Sequence, residues 1–430
     1  MQVDLPYGRD GIISVDVPDK NLLGVLSRPA VEGLKDQVQA AEEALRHPVG
    51  TTRLRDMVSK ESKVVVIIND ATRPNIERTV APVVMDELKA GGASDSNVVF
   101  VVANGAHRLA TAKEIKDKLG TLTGRVRIEN HDAERDEMVD LGRTSLGFHA
   151  SINKIVAQAD IKVAIGTVLP HPIAGYSGGG KAIAVGVASS RTIASTHTVE
   201  MLDNPNTGLG LTKGNPFYEV SLDIARLAKL DFIVNCITNE QEEIANVIAG
   251  DVELAHNTII QRTGKRVFEV NFPHPADIAL VSVGHPKDTN LYHVSAEGIC
   301  VVAGSALPVP CVKNGGAIIV VSPVNEGIYN QVYYNWLTSS ARIDEVIEKL
   351  KEKPIVSPGQ HRAYGVARIL RDVDVIIAES HLDHEAIRKA HMIPMDNAQA
   401  ALRWALDKHG PCAGVLVITN SHRLIPICRP

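Results

Sequence analysis

The stretch DIKVAIGTVLPHPIAGYSGGGKAIAVG (residues 160–186) decides how the chain is read. Its first part is apolar at consecutive positions. That is the pattern of a strand buried on both faces, as in a parallel sheet covered by helices. Its second part places Gly178, Gly179 and Gly180 directly before Lys181. Without a Cβ, backbone N–H groups can approach an anion closely. A helix is expected to begin near Lys181, where a phosphate can rest against its N-terminus. From Gly175 the loop reads G-x-x-x-x-G-K, but Ala182 follows where a triphosphate-binding loop carries Ser or Thr. The hydroxyl that would hold Mg²⁺ is missing. The loop is therefore either a tight turn or a device that presents Lys181 for other chemistry.

The same strand pattern recurs on both sides of this stretch. KVVVIIND (63–70), NVVFVVANGAH (97–107) and DFIVNCITN (231–239) belong to the first half. DIALVSVGHP (277–286), GAIIVVSP (316–323), DVIIAES (374–380) and GVLVITN (414–420) belong to the second. Helical stretches lie between them, among them IERTVAPVVMDELKAGG, TAKEIKDKLG and ARIDEVIEKLKEK. Alternating strands and helices give an α/β class with parallel-type sheets. HPHPADIAL restarts the pattern, so two domains are expected, residues 1–270 and 271–430. The last strand and the tail SHRLIPICRP are assignable to either.

Composition narrows the function classes. The formal charge of −5 gives no basic surplus, which argues against a dedicated nucleic-acid binder. Five cysteines include no C-x-x-C pair, which fits a reducing compartment rather than a disulfide framework or structural zinc site. No apolar run approaches the roughly 20 residues that span a membrane. The opening MQVDLPYGRDGI lacks a signal pattern. A cytoplasmic protein is expected, with no nucleic acid and no membrane among its partners.

In open parallel sheets, ligands sit where strands end. Polar clusters follow four of the strands: NDATRP, NGAHR, PHPIAGYSGGGK and GHPKDTNLYH. NDATRP sets Asp70 and Arg73 three residues apart, with Thr72 between them and Pro74 forcing the turn. Arg73 is placed to grip a carboxylate in bidentate fashion, or to fix the loop through Asp70. His171 and His197 flank the glycine loop, ten residues before Lys181 and sixteen after it. His107 comes from another strand end. Imidazoles suit a borderline metal or proton transfer near neutral pH. Carboxylates are sparse around them, and H-E-x-x-H is absent, which argues against a zinc hydrolase. HLDHEAIRKAH (381–391) lacks that spacing and reads as a solvated helix.

Taken together these motifs resemble the nickel-dependent lactate racemase family. The matching elements are D-A-T-R-P (Asp70–Pro74), G-A-H-R (Gly105–Arg108), H-P-I-A-G-Y-S-G-G-G-K (His171–Lys181), His197 in ASTH, and D-T-N-L-Y (Asp288–Tyr292). They run in the same order over nearly the full length. The resemblance implies two α/β domains with an active site in the cleft between them. It implies a nickel-pincer nucleotide derived from nicotinic acid mononucleotide, tethered through Lys181 and cradled by Thr72, Ser177, Gly178, Gly179 and Gly180. His197 would be the protein ligand of nickel, and His107 and His171 the acid and base. Arg73 with Asp70 would hold the substrate carboxylate. The implied reaction is racemisation or epimerisation of a small-molecule 2-hydroxy acid at C2 by reversible hydride transfer. Proteins of cofactor biosynthesis are implied as partners.

The sequence departs from the lactate enzymes in the second half. Their Tyr-Gln, followed after two intervening residues by Lys, is here Tyr292-His293, with Ala296 in place of the lysine. A tryptophan that lines the lactate site has no clear match. Gln360 or His361 in PGQHRAYGVARIL is expected there. His293, Ser295 and Lys287 make the expected wall polar. Unpaired polar groups discriminate strongly between substrates. A sugar acid such as an aldonate is therefore expected, then a malate-like acid, then a short-chain acid. Two other classes are weighed. A non-catalytic cofactor carrier would need no acid–base pair, and a metal-dependent hydroxy-acid lyase would need a carboxylate-rich Mg²⁺ site.

Overall fold

Every apolar run quoted above becomes a strand, and these strands fall into two six-stranded sheets. The computed structural model describes residues 1–304 and 306–429. The first sheet runs, edge to edge, Ile244–Gly250, Phe232–Thr238, Ile161–Thr167, Val64–Asn69, Val98–Ala103, Arg127–Asn130. All pairs are parallel except the first. Counted along the chain, this is the doubly wound order 3-2-1-4-5-6. The order reverses between Val64–Asn69 and Ile161–Thr167. The loops after those two strands carry Asp70, Arg73, His171 and Lys181, at the place where such sheets bind ligands.

Consecutive apolar residues in these strands serve two cores. Val64, Val66 and Ile68 face one, while Val65 and Ile67 face the other. The helices on either side supply the cover. Glu77–Ala90 packs through Val80, Val84 and Leu88, a helical repeat. Ala112–Leu119 starts at a capping box in which Thr111 and Glu114 satisfy each other's backbone N–H groups.

The second sheet is wholly parallel: Ile393–Met395, Asp374–Ala378, Val312–Val321, Ala276–Ser282, Val415–Ile418, Leu22–Leu26. Its last member shows that a single cut at residue 270 does not describe the start of the chain. Leu22–Leu26 pairs with Val415–Ile418, and the hairpin Gln2–Tyr7/Gly11–Asp16 packs Val3, Leu5 and Val15 against Ile278 and Leu280. A five-residue strand interrupted by Gly24 carries little signal of its own. It forms because the edge of Val415–Ile418 offers it a ladder. The last strand belongs to the second sheet, whereas the tail crosses back, with Ile425–Cys428 parallel to Glu269–Phe272. A division near residue 270 remains our proposal for the middle of the chain. Tyr176, Ile237 and Phe268 share one buried cluster with Val283, Leu424 and Ile425, so the two halves meet through apolar packing.

One buried ion pair fixes the strand end that carries the site. Glu77, 0% exposed, accepts from the Asn69 backbone N–H (3.1 Å), from Asn69 Nδ2 (2.7 Å) and from Lys118 Nζ (3.0 Å). Lys118 is itself buried. Glu77→Ala strands that ammonium and is expected to destabilise the protein by about 3–5 kcal/mol. Adding Lys118→Met should recover much of the loss. Urea denaturation of the two variants measures both, and equal stability of Glu77→Ala and wild type would refute the role.

Candidate functional site

The strand-end loops of the first half and two segments of the second, Lys287 to Glu297 and His361 with Arg362, line a common cavity of about 140 Å³, beside an outer groove of about 830 Å³. Asp70, Arg73, His107 and His293 border both spaces. His171, Lys181, His197, Tyr292 and His361 line the inner one.

Asp70 organises the first loop. Its Oδ1 accepts from the Thr72 backbone N–H (3.2 Å) and hydroxyl (2.8 Å). Its Oδ2 lies 2.5 Å from His107 Nδ1. Burial alone would raise the Asp70 pKa, but His107, Arg73 and Lys287 outweigh that and hold it ionised. A carboxylate only accepts, so His107 Nδ1 carries the hydrogen and Nε2 presents a lone pair to the site. Burial lowers the His107 pKa, with Lys287 and Arg73 adding to it and Asp70 opposing, so the ring stays neutral. Thr72 also accepts from Arg73 Nη1 (3.2 Å), which makes it a bridge between Asp70 and Arg73.

His171 has the opposite tautomer. Its Nδ1 accepts from the backbone N–H groups of Ile173 (3.2 Å) and Ala174 (3.0 Å), so Nε2 bears the hydrogen. Burial, then Lys181, Arg73 and Arg362, push its pKa well down. His197 ends the helix Ser190–Thr196 and points its Nδ1–H at the Ile193 carbonyl (2.6 Å). Its Nε2 is therefore bare. Burial first, then Lys181 and Arg362, lowers its pKa to about 3. A neutral imidazole anchored by its other nitrogen is the standard posture of a metal ligand. Among the described residues no group of three or more His, Cys, Asp or Glu side chains is placed to hold a metal ion. A metal on His197 must draw its other donors from elsewhere.

The glycine loop is built differently from the expected anion cradle. Gly178 and Gly179 have φ of +87° and +53°. A Cβ on Gly178 would lie 2.8 Å from Asn235 Oδ1, on Gly179 2.8 Å from the His256 ring, and on Gly180 2.7 Å from the Ser221 carbonyl oxygen. The triplet is needed so that the loop can nest against these residues. The Gly179 N–H is already donated to Asn235 Oδ1 (3.0 Å), so it is not open to a phosphate. The Ser177 hydroxyl is also committed, donating to the Thr167 carbonyl (2.7 Å) and accepting from the Leu169 N–H (2.9 Å). Lys181, by contrast, lines the cavity, and burial with Arg73 beside it lowers its pKa to about 7. Its amine is a nucleophile near neutral pH.

The second half supplies a polar wall, though not all of the one expected. Tyr292 and His293 are there, and Arg362 lies over the Tyr292 ring at 5.5 Å. Ser295 is not. Its hydroxyl bonds the Leu291 carbonyl (2.7 Å) and Tyr333 (2.6 Å), because a hydroxyl inside a helical turn closes on the carbonyl four residues earlier. Gln360 is turned away too, with its amide spanning Val356 N–H (3.2 Å) and the Pro354 carbonyl (3.2 Å). His361 faces the cavity, its ring 4.5 Å from that of His197. Lys287 and Glu297 complete the wall. Burial first, then Arg73, lowers Lys287 to about 7, and burial raises Glu297. Sequence reasoning missed Glu297, Arg362, Asn235 and His256. A polar Asn235 inside the buried strand FIVNCIT was the legible signal among them.

The lactate racemase N-terminal domain family matches residues 7–210, and the lactate racemase C-terminal domain family matches residues 272–425. The chain belongs to the lactate racemase family. It is 32% identical over 410 residues to the lactate racemase of Thermoanaerobacterium thermosaccharolyticum, covering 94% of each chain. It is 30% identical over 429 residues to that of Lactiplantibacillus plantarum, covering 97% of this chain and 98% of the relative. The solved apoprotein of the former superposes with a TM-score of 0.88 at 29% identity, over 99% of this chain and 100% of that one. A Thermotoga maritima protein, at 18% identity and TM-score 0.73 over 93% of this chain and 100% of that one, shares the fold. As a member of this family the chain is an isomerase. No helix among the described residues is long and apolar enough to cross a membrane.

The low pKa of Lys181 gives a pH test. Its neutral, reactive fraction rises through about pH 7, well below an ordinary lysine at 10.5. Mild acylation at pH 7 should therefore label Lys181 ahead of exposed lysines, with the rate falling as pH drops below 7. Peptide mass mapping reads this, and labelling no faster than at surface lysines would count against a depressed pKa.

Proposed function

We propose that the protein racemises or epimerises a 2-hydroxy acid at C2, with a polar substrate such as an aldonate in place of lactate. One observation carries the reaction type. Two neutral histidines of opposite tautomer, His107 with a lone pair and His171 with an N–H, line the same cavity beside Arg73. Arg73 suits the carboxylate. His107 accepts the proton of the C2 hydroxyl at Nε2, and Asp70 stabilises the cation that forms. His171 presents its Nε2–H to the same cavity. To act as base for the other configuration, the His171 ring must release the Ile173 and Ala174 amides.

The residues fit the nickel-pincer nucleotide that the family resemblance implies. Lys181 would hold it covalently, and the bare Nε2 of His197 would bind nickel. The remaining metal donors would have to be the cofactor's own. When bound, that group supplies a hydride acceptor, which avoids forming a carbanion next to a carboxylate. The loop's nucleotide contacts must come from groups other than the Gly179 N–H and the Ser177 hydroxyl. Proteins that make the cofactor are then required partners, and a cytoplasmic site of action is consistent with the composition.

The wall supports the substrate class. Ala296 leaves no cation at its position, while His293, Lys287 and Glu297 offer both donors and acceptors. A substrate lacking distal hydroxyls leaves such groups desolvated and unpaired, at about 1–3 kcal/mol each. Cofactor-loaded enzyme assayed on a panel of 2-hydroxy acids should give higher kcat/KM for an aldonate than for lactate, with no loss of a C2 deuterium label to solvent. A preference for lactate over every polar acid would overturn the substrate assignment, and washout of the label would overturn the mechanism. Lys181→Ala should lose the covalent adduct by intact mass, and His197→Ala should lose nickel. His107→Ala and His171→Ala should each lower turnover by about 10²–10⁴-fold.

A further inference from the structure

His107 is engaged at both ends. While Nδ1 points to Asp70, Nε2 lies 3.4 Å from Nε2 of His293, with the rings nearly perpendicular and their centroids 5.0 Å apart. His293 comes from the other half of the molecule, so this contact crosses the cleft. Asn290 fixes its tautomer. Asn290 Oδ1 accepts the His293 backbone N–H (2.9 Å), which leaves Asn290 Nδ2 to donate to His293 Nδ1 (3.0 Å). Thr289 and Glu326 accept from that same Nδ2 and hold the amide in this orientation. With Nδ1 accepting, His293 Nε2 bears the hydrogen and points at the lone pair of His107. The donors run one way, from Asn290 through His293 and His107 to Asp70.

We propose that His293 is a positioning residue for the base. Its Nε2–H holds the proton-accepting nitrogen of His107 until the substrate hydroxyl takes that place. Two consequences follow. The bond stabilises neutral His107, because a protonated Nε2 cannot accept it. An entering hydroxyl can donate to His107 while accepting from His293, so the N–H that held the base then faces the reacting oxygen. An oxygen bonded to both needs about 2.7–3.0 Å to each nitrogen, so the rings must part as it enters. This separates the two halves slightly and ties substrate entry to their relative position. The inference rests on the reading of His107 as base, not on which acid is bound.

The test uses the full chain without cofactor, with ¹⁵N-labelled histidines and the His107 signals assigned through His107→Gln. Asp70, Arg73, Lys287, Tyr329 and Arg362 face this pair and stay constant across variants. His293→Met keeps the bulk and burial but removes the donor, whereas His293→Gln keeps an N–H donor. The His107 midpoint should rise by about half a pH unit or more in the Met variant and stay near wild type in the Gln variant. In loaded enzyme the Met variant should lose about 10–100-fold in kcat/KM, with its acid limb moved up, and Gln should recover most of the loss. An unmoved midpoint in the Met variant, or equal shifts in both, would overturn the proposal. Inactivity of every loaded protein alongside the expected midpoints would count against the reaction assignment and leave the pairing standing.

Discussion

A single buried carboxylate, Asp70, sets the state of the site around it. It sits at the end of Val64–Asn69, beside the point where the strand order reverses. Because it stays ionised in a buried place, each neighbour must offer it a hydrogen. Thr72 offers two and His107 one. The His107 tautomer is thus decided, and with it which nitrogen faces the cavity. Arg73 is set through the same threonine. The Glu77–Lys118 pair behind the strand keeps this arrangement from drifting. The chemistry is placed by a chain of buried polar groups, each satisfied by the next, and such chains tolerate no missing member.

The cavity also carries more positive than negative groups. Arg73, Lys181, Lys287 and Arg362 face it, against Asp70 and Glu297. Burial alone would make such a cluster costly. The lysines relieve the strain, since burial and Arg73 bring both toward neutrality near pH 7, and Glu297 rises toward its neutral form. The arginines cannot respond in that way and remain charged. What persists at neutral pH is a site whose fixed cations await anions, while its histidines are kept neutral by the same field.

Much of this was legible in the sequence, and the rest was hidden for identifiable reasons. Runs such as KVVVIIND declare a doubly covered strand because both faces must be apolar, and each proved to be one. The strand-end clusters pointed to a candidate site, because polar residues at the end of a buried strand have little packing use, and the structure brings them to one cavity. Leu22–Leu26 was not legible, since its pairing depends on an edge formed some 390 residues later. The direction of a side chain was the other blind spot. Ser295 and Gln360 lie in the right segments but on the wrong face, because local carbonyls and amides capture them. The three glycines were legible as a special loop, yet their main reason is Asn235, His256 and Ser221 beneath them, contacts that only the fold supplies.

Tethering a cofactor at Lys181 would change more than occupancy. The lysine is among the charges that lower the pKa of His171 and of His197. Converting its amine to a neutral acyl linkage removes that charge permanently. His171 is then relieved of its leading electrostatic opponent, with Arg73 and Arg362 left to oppose its protonation. For His107 the opposing cations are Lys287 and Arg73. Without the tether one histidine is locked as acceptor by Asp70, while the other is opposed by three cations. The proposed reaction, which treats both configurations of its substrate, would call for the two to be closer in basicity. A covalent link at Lys181 would, by discharging it, move the pair in that direction.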